Sequence, residues 1–161
     1  MRHRQKGMYI VEFALVAALF FVLLFGMIEF ARALFVWNTL TEATRRGARL
    51  AAVCPVGHAS IANVTVFNDP AAAGASPILP NLNSTDVVTD YLDQAGVTTA
   101  NFADIRYVRV SIVGFQHTLL IPALLPGLPA MTLNAPAFET TLPRESLGAV
   151  PDAGAGSTQC P

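Results

Sequence analysis

A chain of 161 residues with a formal net charge of -1 has about the size of one domain. Charged side chains make up only 13% of it, so there is no broad basic footprint of the kind that phosphate-backbone binding requires, and nucleic acid is set aside as a partner. Apolar residues crowd the stretch before residue 37, which leaves the remainder a modest core to build.

The N-terminal stretch "RQKGMYIVEFALV" places a carboxylate, Glu12, near the start of a segment otherwise apolar enough to enter a bilayer. An acidic residue at the centre of a spanning helix costs about 2.5 to 3.5 kcal/mol and somewhat less near an interface, so such a carboxylate calls for a partner. From Phe13 to Ile28 no charge occurs; Glu29 and Arg32 then stand three apart, on adjacent turns of a helix, where they can form an intrahelical ion pair. "FARALFVW" ends at Trp37, a side chain suited to the water-lipid boundary. At about 1.5 Å per residue, Met8 to Trp37 exceeds the roughly 30 Å hydrocarbon core. Residues 8–37 are therefore expected to form a transmembrane helix with ends to spare.

The helix should continue over 38–54 as an amphipathic extension. Leu40, Ala43, Gly47, Leu50 and Cys54 recur at spacings of three and four, while Glu42, Arg45, Arg46 and Arg49 take the other face. Pro55 stops it, since proline has no amide hydrogen and disfavours helical geometry in the residue before it.

Residues 55–147 are expected to form a small α+β domain. Asn68 to Asn81, rich in Pro, Ala and Gly, reads as a loop. "STDVVTDYLDQAG" has a cap at Ser84 or Thr85, an acid at Asp86, apolar Val87, Val88, Tyr91 and Leu92, and Gly96 to end it, so it reads as a short amphipathic helix. "IRYVRVSIVGFQHTLL" alternates as a strand, with a bulge expected at Gly114. After the Pro-rich "IPALLPGLP", the run "AMTLNAPAFETTLPRES" alternates again, and Pro136 makes it an edge or interrupted strand. The two runs are expected to make a hairpin or meander of antiparallel strands. Residues 148–161 have too few apolar side chains to pack alone and read as a flexible tail unless Cys160 ties them down.

Cys54 and Cys160 lack a CxxC spacing, which argues against a zinc knuckle or a thioredoxin-like site. In an extracytoplasmic setting they would form a disulfide; two unrelated thiols are the alternative. His3, His58 and His117 have no metal-ligand spacing, and Ser84, Asp86 and His117 form no nucleophile motif. No metal site, cofactor or catalytic residue is expected, and the chain is not read as an enzyme.

Three readings compete for the N-terminus. A cleavable secretory signal would have a shorter apolar core, and the nearest A-x-A-like site, Ala31 to Ala33, lies inside the expected helix. An unprocessed single-pass anchor carrying an exported ligand- or protein-binding domain explains the hydrophobicity but not Gly7 and Glu12.

The third reading rests on a resemblance. "KGMYIVEF" resembles the prepilin-peptidase site of type IV pilins: a basic leader, Gly7, then an apolar stretch with Glu12 five residues later and the aromatic Phe13 next. "FGMIEFARALFVWNTLTEATRRGARLAAV" and "FETTLPRES" are similar to the TadE-like minor pilins or pseudopilins of Tad (Flp) pilus systems. The likeness is dense over residues 5–53, weaker over the last strands and essentially absent from 55 to 100.

The resemblance implies cleavage between Gly7 and Met8, with residues 1–7 as leader, and roles for Glu12 and Phe13 in recognition and assembly. It implies as partners a prepilin peptidase, the major Flp-type pilin, other minor pilins and an inner-membrane assembly platform, besides the lipid bilayer. Charge does not decide orientation, because Arg2, Arg4 and Lys6 precede the span and Arg45, Arg46 and Arg49 follow it. The resemblance implies an N-terminus on the cytoplasmic side of the bacterial inner membrane and an extracytoplasmic C-terminal domain. Cleavage would also create an ammonium on Met8, one helical turn from Glu12, as the partner its carboxylate lacks, within one chain or across to a neighbour. An interfacial glutamate that snorkels or stays protonated is the plainer alternative.

Overall fold

The computed structural model describes residues 6–120, 129, 131–149 and 160. Most of the expected leader, His3, and nearly all of the expected tail therefore lie outside the described residues. The chain divides into two compact units, Met1–Phe35 with Thr118–Met131, and Val36–His117 with Thr132–Pro161.

One element dominates the first unit: helix α1, Lys6–Val53, whose N-terminal part is almost uniformly apolar. Among the described residues it is the one helix long and apolar enough to cross a membrane, and no protein covers its most apolar stretch. Phe13, Leu15, Leu19, Phe20 and Met27 are all exposed. A helix that is apolar all round and uncovered has the character of a membrane span.

The second unit contains the rest of α1 and an α+β core. Leu40, Ala43, Ala48, Ala51 and Cys54 are buried and Glu42, Arg45, Arg46 and Arg49 exposed, so this part of α1 is amphipathic. Its end is capped from far along the chain. Glu145 and Leu147 donate their N–H groups to Ala52 O, and Gly148 N–H and Ser146 Oγ donate to Val53 O. These partners satisfy carbonyls that every helix end leaves open.

The short helix of the fold, α2, is Ala59–Thr65, with His58 Nδ1 accepting the Ser60 N–H at its start. The stretch expected to be a short helix is instead a single 3-10 turn, Ser84–Asp86, leading into strand β1, Val87–Leu92. Asp86 does act as a local cap: its Oδ2 accepts the Asn83 N–H at 2.8 Å. Beyond that turn the β-branched pair Val87 and Val88 pairs antiparallel with β2, Tyr107–Ile112, in the register Val87↔Ile112 to Leu92↔Tyr107. Six cross-strand pairs outweigh a marginal helix.

Strand β3 is Gln116–Thr118, β4 Thr132–Asn134 and β5 Phe138–Pro143. Sheet order is β1-β2-β5, all antiparallel, with β3-β4 as a separate pair. The alternating run that contains Pro136 is thus split into β4 and β5, as a residue unable to donate to a ladder demands. Gly114 adopts φ +72° between β2 and β3. Val108, Val110 and Ile112 bury one face of the sheet, and Arg109 on the other face donates through Nη2 to Asp90 Oδ2 at 2.8 Å. That hydrogen bond holds the Arg109 guanidinium above its ordinary pKa.

Candidate functional site: the apolar helix and its charged residues

The Gly7–Met8 bond lies in the first turn of α1, with open space where a Gly7 Cβ would stand. Glu12 and Phe13 follow on the same helix and are both exposed. Among the described residues Glu12 has no hydrogen-bond or ion-pair partner. Its carboxylate therefore enters an apolar segment unsatisfied by the described residues around it, the situation that makes an intramembrane charge costly.

The second charged pair in this helix is satisfied. Arg32 Nη1 donates to Glu29 Oε1 at 2.7 Å, one turn away, and the Glu29 side chain is only 13% exposed. A second partner comes from 91 residues on: Leu120 donates its N–H to Glu29 Oε2 at 3.1 Å. Arg32 Nη2 reaches Thr118 O at 3.5 Å. These partners, which lie within the same unit as the pair, are missed by sequence reasoning because helical spacing reports only neighbours on the helix itself.

In the other unit the structure joins Cys54 and Cys160 in a disulfide with their Cα atoms 5.7 Å apart. The bridge sits beside Ile61, Ile105, Val108 and Leu147 in one of two core clusters. His58 caps α2 and His117 is buried in β3, on separate elements. An open cleft of about 640 Å³ lies against β1, lined by Val56, Thr89, Tyr91, Thr99, Phe102 and Ile105 among others. Tyr91 Oη accepts the Gly57 N–H at 3.0 Å there. Its burial pushes the phenol pKa above the ordinary 10, against the opposite pull of that hydrogen bond.

An apolar N-terminal helix of spanning length with two acidic residues in it, followed in sequence by a small α+β domain, suggests a single-pass membrane anchor. Residues 7–49 match the family model described as TadE-like protein, the family that the sequence resembles. No curated protein and no solved structure matches the chain. The family match falls on α1 and suggests involvement in Tad pilus assembly.

Proposed function

We propose that the chain is a TadE-like minor pilin or pseudopilin: a structural subunit, not an enzyme, that takes part in assembling a Tad-type adhesive pilus after a prepilin peptidase removes residues 1–7. The observation that carries this reading is a coincidence of position. The family match, the glycine and glutamate of "KGMYIVEF", and the apolar surface left uncovered by the rest of the chain all fall on one helix.

In this reading α1 anchors the protein in the inner membrane with its N-terminus cytoplasmic and the following domain extracytoplasmic. The same apolar surface packs against the spanning helices of the major pilin and other minor pilins when subunits leave the bilayer, with the assembly platform acting on it there. Apolar helices associate in lipid through close packing and polar contacts between helices, and an unsatisfied Glu12 supplies one such contact.

Intact mass of the protein purified from membranes that contain an active prepilin peptidase tests it. Loss of "MRHRQKG", leaving Met8 first, is the expected result. A Gly7→Leu chain should insert and stay full length, because the added side chain obstructs close approach of the protease to the backbone. A native chain that stays full length beside the active peptidase would refute the reading and leave an unprocessed anchored envelope protein.

A further inference from the structure

Between Arg109 and Glu139 the sequence has no Asp, Glu, Lys or Arg, and at its centre "LLIPALLPGLPAM", residues 119–131, has no polar side chain at all. Such a run is too short to cross a bilayer, which takes about 20 residues in a helix; apolar runs of this length are typical of buried core helices or of interfacial or re-entrant segments, and the exposure of Leu120 and Met131 favours the second. Its described ends are fastened to α1 within one unit. Leu119 N–H donates to Met131 O at 2.9 Å, joining the two described ends of the run. Leu120 N–H is taken by Glu29, and Thr118 O lies beside the Arg32 guanidinium.

Those bonds matter because of where they are. Counting about 1.5 Å per residue from Met8, Glu29 stands about 32 Å along the helix, close to one hydrocarbon thickness. The charged pair therefore falls where a span starting at Met8 would emerge. Leu120 and Met131 are 42% and 55% exposed, and Phe25 and Ile28 on the helix are exposed as well, so both parts of this unit present uncovered apolar side chains. Near lipid an unpaired backbone N–H or C=O is costly, and the polar groups named here all have partners within the protein. Hot spots of protein interfaces are rich in Trp, Tyr and Arg and poor in Leu, and residues 119–131 contain leucines but no Trp, Tyr or Arg.

We propose that the described ends of this run, Thr118–Leu120 with Met131, form a second lipid-contacting element, seated in the bilayer interface beside the spanning helix and held there by Glu29 and Arg32. The occupant of its apolar surface is phospholipid acyl chain. The inference rests on the reading of α1 as a membrane span.

The full chain in phosphatidylcholine vesicles tests both separately. Trp37 is the single tryptophan, so a Trp37→Phe background allows one reporter at a time: Phe21→Trp for the span, Leu120→Trp and Met131→Trp for the proposed element, and the exposed Val97→Trp as an aqueous control. Lipids brominated high on the acyl chain should quench both reporters of the element severalfold more than the Val97 control, and aqueous iodide should reach them less. Adding Glu29→Ala and Arg32→Ala to the Leu120→Trp chain should restore iodide access. Iodide access at 120 and 131 equal to the control, with Phe21→Trp still quenched by lipid, would overturn the proposal and leave the anchor standing. Shielding that develops only when other pilin subunits are added would overturn it in favour of a protein occupant. Failure of lipid to quench Phe21→Trp would remove the anchor and the proposal with it.

Discussion

Gly47 of α1 lies so close to Thr65 of α2 that no side chain fits between them: a Cβ built on Gly47 collides with Thr65 Oγ1 and stands 3.1 Å from Val110 Cγ1. Thr65 cannot easily withdraw, since its hydroxyl donates to Ile61 O at 2.6 Å and the residue is fully buried. Two effects of Gly47→Ala then oppose each other. Helix propensity favours alanine by about 1 kcal/mol, while overpacking a close-packed contact costs about 1 to 3 kcal/mol. Overpacking should win. Thermal unfolding of the detergent-solubilised protein is expected to show a net loss, and Gly47→Ala combined with Thr65→Ser should not recover it, because Oγ1, the nearest atom, remains. Combination with Thr65→Ala, which removes that atom, should recover part of it.

That contact also marks the boundary of what the sequence reveals. Leu40, Ala43 and Gly47 are legible as one face of α1, with Cys54 just past its end, because helical periodicity is a local property, and Pro55 is legible as its stop for the same reason. The partner face is not. Helix α2 has only seven residues, too few for a periodic signal, and it is held by burial of Ile61, Val64 and Thr65. "VVTDYL" carries both helix-start chemistry and β-branched side chains, and the choice falls to strand because Tyr107–Ile112 is there to pair with it. In the candidate site the Glu29–Arg32 spacing is readable and the Leu120 N–H that completes it is not, since only folding brings residues 91 apart together.

The Cys54–Cys160 bridge closes a loop of 106 residues in sequence separation. In the chain-entropy model such a loop stabilises the fold by up to about 4 to 5 kcal/mol, a ceiling that real disulfides often miss. With thiols blocked, the oxidised protein should run faster on a non-reducing gel than after reduction, and labelling of both cysteines should require reductant. Its melting temperature should drop when dithiothreitol is added. Free labelling of both thiols in the native protein, with unchanged mobility, would show that the two cysteines are independent.

Tyr91 gives the domain an alkaline limit. Its phenol ionises above the ordinary 10 in the folded protein because burial disfavours the phenolate, whereas in the unfolded chain it ionises near 10. Its contribution is therefore fully present below about pH 10; above that the unfolded chain gives up its proton first, and stability falls as pH rises towards the folded value. Tyr91→Phe should flatten this decline. At neutral pH it should cost little, about 0.5 to 1 kcal/mol, because the exposed Gly57 N–H that loses its acceptor can turn to water. Melting curves of both proteins from pH 8 to 11 compare the slopes. Parallel declines would assign the alkaline limit to another group.

Glu12 is the most exacting test of the proposed role, because its carboxylate finds no partner among the described residues. If the ammonium created on Met8 of a neighbouring subunit is that partner, Glu12→Val should insert into the membrane at least as well as the parent, having lost a charge that costs about 2.5 to 3.5 kcal/mol at mid-membrane and somewhat less this near the start of the span. Trimming should persist or fall only modestly, because Gly7 remains. Assembly should fail. The mutant leaves the neighbour's ammonium without a carboxylate in a low-dielectric setting, where removing one member of a buried pair typically costs about 3 to 5 kcal/mol. Glu12→Gln should fail nearly as completely, since it keeps the shape and hydrogen-bonding oxygen but not the charge, and this separates an ion pair from a steric role. The readouts are crosslinking of mature chains to the other pilins and pilus output counted in the same cells. Normal crosslinking and normal piliation in Glu12→Val would show that the carboxylate is a tolerated interfacial charge, held by lipid headgroups or by its own proton, with no part in joining subunits.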